Sequence, residues 1–125
     1  MTNTILTCLF LAMIQVESSG NDLAIGDDGL SWGCLQIRPE YVADVNRISG
    51  ADYTHEDAFD RTRAIEMARI YTSYYAAYWW LGREPRLEDY ARIHNDGPRG
   101  YRAPTSVTYW QKVRKHLEAI IDGTI

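Results

Sequence analysis

A chain of 125 residues is the length of one ordinary domain. At 46% hydrophobic and 24% charged, its composition is that of a folded globular domain, which excludes collagen, a disordered tail and a disulfide scaffold. The net charge of −4 excludes a general affinity for nucleic acid. The charge is skewed, with eleven acids against four bases in residues 1–66 and six against nine in residues 67–125. That skew reads as a mixed solvated surface.

The predicted elements are mostly helical, in a single domain covering 1–125. Residues 5–14 form an apolar run, too short for a membrane span of about 20 residues. No Lys or Arg precedes Arg38 and no small-residue cleavage site precedes Glu17, so the run is read as a buried helix, 3–18, closed by Gly20, and not as a signal peptide. Synthesis in a cytoplasm without export signal is the expectation. Residues 22–37 are dense in turn formers (Asn21, Asp22, Gly26, Asp27, Asp28, Gly29, Gly33) and predict a small β-hairpin or extended loop. Pro39 starts a helix to about Ile48, with Gly50 after it. Asp60 caps a long helix to Leu81, whose positions Ala64, Ala68, Tyr71, Tyr75 and Tyr78 follow helical spacing. A shorter helix follows Pro85 to His94, a loop covers 95–100, and the last helix runs from Thr105 to Gly123.

The chain holds two cysteines, Cys8 and Cys34, and three scattered histidines, without CxxC or HExxH, so no structural zinc, other metal or cofactor is implied. A Cys8–Cys34 bridge is left open, and the fold is not expected to depend on one. Tyr71, Tyr75, Tyr78, Trp79, Trp80 and Trp110 are assigned to the core.

Glu17 is the first candidate for chemistry. It ends an apolar helix, where burial and the partial negative charge of a helix C-terminus both favour a protonated carboxyl. Asp27 and Asp28 follow in a polar, Gly-flanked turn where a carboxylate stays ionised. Two carboxyl groups in contrasting surroundings suit glycoside hydrolysis, one as acid and one as base or nucleophile. Such spacings are common, and alone they equally describe a helix end and a turn.

Wider motifs decide the reading. The strings Glu17-Ser18-Ser19-Gly20, Gly33-Cys34-Leu35-Gln36-Ile37, Ala91-Arg92-Ile93-His94-Asn95-Asp96-Gly97-Pro98-Arg99-Gly100 and Tyr109-Trp110-Gln111-Lys112-Val113 closely resemble the invertebrate-type (destabilase-like) lysozymes in order and spacing, over about residues 8–115. The weaker ESS and GxxQ pattern is shared with goose-type lysozymes and soluble lytic transglycosylases. The resemblance implies an α+β, mostly helical lysozyme-like fold with a small β-hairpin. It implies a muramidase that cuts the β-1,4 bond between N-acetylmuramic acid and N-acetylglucosamine. Glu17 and Asp27 are its implied catalytic residues, Asp27 being preferred to Asp28. Ser18, Trp32, Gln36, His94 and Asn95 are the implied substrate-side residues. Ser18 could hold the acid or cap the helix, Gln36 could bond a sugar or its own hairpin, and His94 could be structural. Trp32 is the expected sugar platform. The partner is the peptidoglycan glycan strand, met as a monomer and without stable membrane insertion. Rival readings are a lytic transglycosylase using Glu17 alone and a non-catalytic wall-binding or virion module.

Two departures from that family stand out. Its cysteines are replaced here by Gly20, Trp32 and Tyr101, which implies a reducing compartment and a bacterial or phage-encoded origin, with delivery to the wall after release. Asp96 stands where the family usually has Gly, which predicts a left-handed Asp in a preserved loop.

Overall fold

A computed structural model describes residues 1–123. The backbone contacts group them into two compact units, one of residues 17–71 and one of residues 1–16 with 72–123. The fold is α+β and mostly helical with one small hairpin. The elements in chain order are α1 (Asn3–Ser18), β1 (Ile25–Gly26), β2 (Ser31–Trp32), α2 (Pro39–Ser49), α3 (Arg61–Tyr75), α4 (Tyr78–Leu81), α5 (Leu87–Asp96) and α6 (Val107–Ile121), with short 3-10 turns between them.

In the 17–71 unit, β1 and β2 pair antiparallel with Ile25 opposite Trp32 and Gly26 opposite Ser31. A 3-10 turn, Asp27–Gly29, closes them. The ribbon continues through a bridge between Trp32 and Ile37, in which each N–H donates to the other's carbonyl. Gly33 is required between the two: its φ is +82°, and a Cβ there would meet the Ala58 carbonyl oxygen at 1.8 Å. Helix α2 begins on Pro39, whose missing N–H costs nothing in a first turn, and ends on Gly50 at φ 74°. At the start of α3, Asp60 caps as expected, its carboxylate accepting the Arg63 N–H at 3.0 Å. Another cap precedes it, where Asp57 accepts the Thr54 N–H at 2.8 Å and an Arg63 N–H at 2.6 Å. Those bonds hold the Asp57 carboxyl below its usual range, the backbone donor contributing most.

In the other unit, Leu9, Phe10, Ala12, Met13 and Ile14 of α1 are fully buried. The burial is not all round: Thr7, Leu11 and Gln15 form an exposed stripe one turn apart. Cys8 is partly exposed and both cysteines are free thiols.

The long helix predicted from Asp60 to Leu81 breaks. It stops at Tyr75, Ala77 is extended at φ −145°, and α4 restarts at Tyr78. A helix end leaves carbonyls without donors, and here the Trp79 indole N–H supplies one to the Tyr74 carbonyl at 2.7 Å. The Trp80 indole N–H does the same for Pro98 at 2.7 Å. Tyr78 and Trp79 are therefore 63% and 58% exposed, a correction to their expected place in the core, while Tyr71 and Tyr75 are buried as expected. Trp110 is half-buried.

Helix α5 continues two residues beyond His94, through Asn95 and Asp96, into what reads from sequence as loop. The left-handed residue is Gly97 at φ 85°, not Asp96, whose carboxylate instead accepts the Thr105 hydroxyl. Arg92 ties α5 to the segment before α6, donating to Glu88, Ser106 and the Ala103 carbonyl at 2.6, 2.8 and 2.9 Å. Gly100 passes so close beneath α5 that a Cβ there would lie 2.0 Å from the Arg92 carbonyl.

Candidate active site

The 17–71 unit brings Glu17, Ser18, Asp27, Trp32 and Gln36 into one compact body. His94 and Asn95 belong to the other unit, His94 buried and Asn95 exposed on α5.

Glu17 is half-buried in the last turn of α1. Ser18, the next residue, donates its hydroxyl to the Cys34 carbonyl at 2.8 Å, so it joins the helix end to the hairpin. The turn that follows carries two left-handed residues, Ser19 (φ 53°) and Gly20 (φ 85°). It is gripped from α3: Arg61 Nε donates to Asp22 Oδ1 at 2.8 Å, and its Nη2 to the Gly20 carbonyl at 2.6 Å. Burial pushes the fully covered Cys34 thiol up to about 11, with Arg61 opposing and Asp22 adding to the rise.

Tyr41 of α2 is the neighbour of Glu17 that sequence reasoning missed. It stacks on Tyr71 at 3.9 Å between ring centroids. Burial drives its phenol well above the ordinary range, and Tyr71 and the charge of Glu17 add to this, so its hydroxyl stays protonated. No spacing in the sequence links positions 17 and 41; only the packing of α2 does.

Asp27 begins the hairpin turn and is exposed. It and Asp28 sit at φ 50° and 56°, left-handed values that are uncommon outside glycine and that Asp adopts more readily than most residues. Its carboxylate accepts the Ser31 hydroxyl at 2.5 Å and lies 3.7 Å from the Arg38 guanidinium. Arg38 also pairs with Glu40 at 2.7 Å.

Trp32 is half-buried. Its ring stacks on His55 at 3.7 Å and 9°, and on Phe59 at 5.0 Å, and its indole N–H donates to Gly29 at 2.7 Å. His55 is in turn anchored by its Nε2, 2.7 Å from the Ile37 carbonyl. The expected platform is thus a fixed aromatic stack, whose histidine and phenylalanine partners carry no motif of their own. Gln36, left-handed at φ 52°, donates its amide to the Gly33 and Ala24 carbonyls at 3.0 and 3.3 Å. Both are hairpin-internal bonds, as one of its two readings expects. Among the described residues, no cluster of three or more His, Cys, Asp or Glu could hold a metal ion.

No family model matches the chain. It is 33% identical to a lysozyme of Magallana gigas over 114 residues, 90% of this chain and 80% of that protein. Over 68% and 69% of this chain it is also 33% identical to lysozymes of Ostrea edulis and Meretrix lusoria, covering 59% and 67% of those proteins. A chain in the crystal structure of Aeromonas hydrophila PliI in complex with Meretrix lusoria lysozyme superposes with a TM-score of 0.71 at 29% identity. That match covers 91% of this chain and 88% of the other.

Proposed function

The chain belongs to the invertebrate-type lysozymes, a family of glycoside hydrolases, and from that premise we propose that it cleaves the muramic acid–glucosamine bond of peptidoglycan with Glu17 and Asp27 as its two carboxyl groups. The observation that carries this reading is the contrast between them. Glu17 is half-buried at a helix end beside an uncharged Tyr41, whereas Asp27 is exposed, held in a strained turn and bonded to a hydroxyl. Strained backbone of this kind clusters where function over-determines it.

In this mechanism Glu17 gives its proton to the glycosidic oxygen as the bond breaks, and the leaving sugar departs as an alcohol. The Asp27 carboxylate faces the electron-poor anomeric carbon, as nucleophile or by orienting water. The hydroxyl of Ser31 donates to Asp27 Oδ2 and orients the carboxyl group for that role. Trp32, His94 and Asn95 are proposed substrate contacts. The protein acts on the wall after delivery from the cell that makes it.

Clearing of purified peptidoglycan by wild type and by Glu17→Gln tests the assignment. The isosteric swap removes only the proton donor and is expected to cost about 100-fold or more in rate. Equal clearing by both proteins would overturn it. Mass spectrometry of the products is expected to find reducing muramic acid ends. Chiefly anhydromuramyl ends would mean a transglycosylase that works with one acid.

A further inference from the structure

Ser31 is 1% exposed, yet its hydroxyl is spent on an exposed carboxylate. Its place is fixed by pairing with Gly26 across the hairpin. The Asp27 side chain is 65% exposed, so nothing about burial holds it. The bond to Oδ2 is 2.5 Å long, in the range of a charge-assisted O–H···O⁻ contact. The cation facing Oδ2 is Arg38, further away at 3.7 Å and itself bonded to Glu40. Asp28, the adjacent acid, is exposed. Ser31 is therefore the nearest and the only buried group of this set, anchored on a strand while the turn it grips is left-handed and strained.

We propose that Ser31 is the positioning residue of the second carboxylate: its hydroxyl engages Oδ2, fixes the orientation of the group and leaves Oδ1 for the substrate. This rests on the reading of Asp27 as that carboxylate. An exposed carboxylate that loses this anchor samples other rotamers, so the loss falls on the chemical step and leaves substrate binding nearly unchanged.

The experiment measures peptidoglycan clearing against substrate concentration for wild type, Ser31→Ala, Ser31→Cys, Ser31→Thr and Asp27→Asn. Ser31→Ala is expected to lose roughly tenfold in kcat, with KM within about twofold. Ser31→Thr retains the hydroxyl and is expected to restore kcat. Ser31→Cys is nearly isosteric and a weak donor, so it carries the same loss of kcat if the alanine variant is unstable. In an Asp27→Asn background, Ser31→Ala is expected to add no further loss. A Ser31→Ala enzyme with wild-type kcat, or a loss that persists beside Asp27→Asn, would overturn the role of Ser31 alone. Full activity in Asp27→Asn would overturn the reading of Asp27 and this role with it. The carbon-13 chemical shift of the Asp27 carboxyl at one fixed pH, compared between wild type and Ser31→Ala, reads the Ser31 bond directly, without lysis, and tells the two failures apart.

Discussion

Gly33 shows what a single residue decides here. A left-handed φ alone is tolerated by several residues of this unit, Ser19, Asp27, Asp28 and Gln36 among them. Gly33 has no such latitude, because backbone atoms of Ala58 occupy the space a Cβ would need. A carbonyl 1.8 Å away is part of the main chain and cannot rotate aside. Gly33→Ala is expected to lose roughly 3 kcal/mol or more of stability, from strain and overpacking together. Gly29→Ala, at φ +89° with nothing within 4 Å, carries the backbone strain alone and is expected to lose less. Denaturant melts of the two variants check the order, and equal losses would mean that the Ala58 contact yields.

At the scale of elements, the turn after Glu17 is held by side chains that come from far along the chain. Arg61 reaches it from α3, some forty residues away, and bonds both Asp22 and the Gly20 carbonyl. Gly20 is a position where the related family carries cysteine, and Trp32, another, is stacked on His55 and Phe59. Non-covalent contacts thus occupy two sites where cross-links would be expected from the resemblance. Arg61 and Asp22 are both partly exposed, so the pair itself contributes modestly. Arg61→Leu is expected to cost about 1–2 kcal/mol, chiefly through the lost charged hydrogen bonds. Arg61→Lys recovers only part, since an ammonium lacks the planar fork that serves two acceptors. Thermal melts with clearing assays check this, and full activity in Arg61→Leu would show that the Glu17 turn stands without its grip.

For the molecule as a whole, stability is expected to be indifferent to reductant, because both cysteines are free. Alkali is the more informative stress. The Cys34 thiol titrates at about 11 in the folded chain against a usual 9.0, so the unfolded chain releases its proton first. The stabilisation is complete below pH 9 and disappears as pH rises towards 11, about 2–3 kcal/mol at most. Tyr53, pushed up to about 12 by burial and its bond to Glu66, adds a smaller loss from pH 10 upward, because water screens its partly exposed phenol. Cys34→Ser keeps a donor for Asp22 and removes only the thiol, so it is expected to flatten the decline between pH 9 and 10. Melts of both proteins across that interval test it, and parallel curves would rule out the thiol as the source. The double variant Cys8→Ala, Cys34→Ser is expected to stay folded and to clear peptidoglycan at close to the wild-type rate.

Helix starts and stops were legible in the sequence where one residue carries the physics. Pro39 and Gly50 bound α2, Asp60 caps α3, and the Gly-rich stretch around Asp27 forms the hairpin. The family was legible too, through the motif strings, and the 33% identity to a lysozyme of Magallana gigas agrees with it. Long-range pairings were not. Tyr41 near Glu17, His55 against Trp32, Arg61 on the Gly20 turn and Ala58 over Gly33 join residues 23 to 41 positions apart. The break at Ala77 was hidden for the same reason: helical spacing runs through it unbroken, and it is the indole of Trp79 turning back to Tyr74 that satisfies the open carbonyl. Local propensity and punctuation are properties of neighbouring residues and can be read along a line. Which donor meets which open acceptor is settled only when the packed chain brings distant ones within 3 Å.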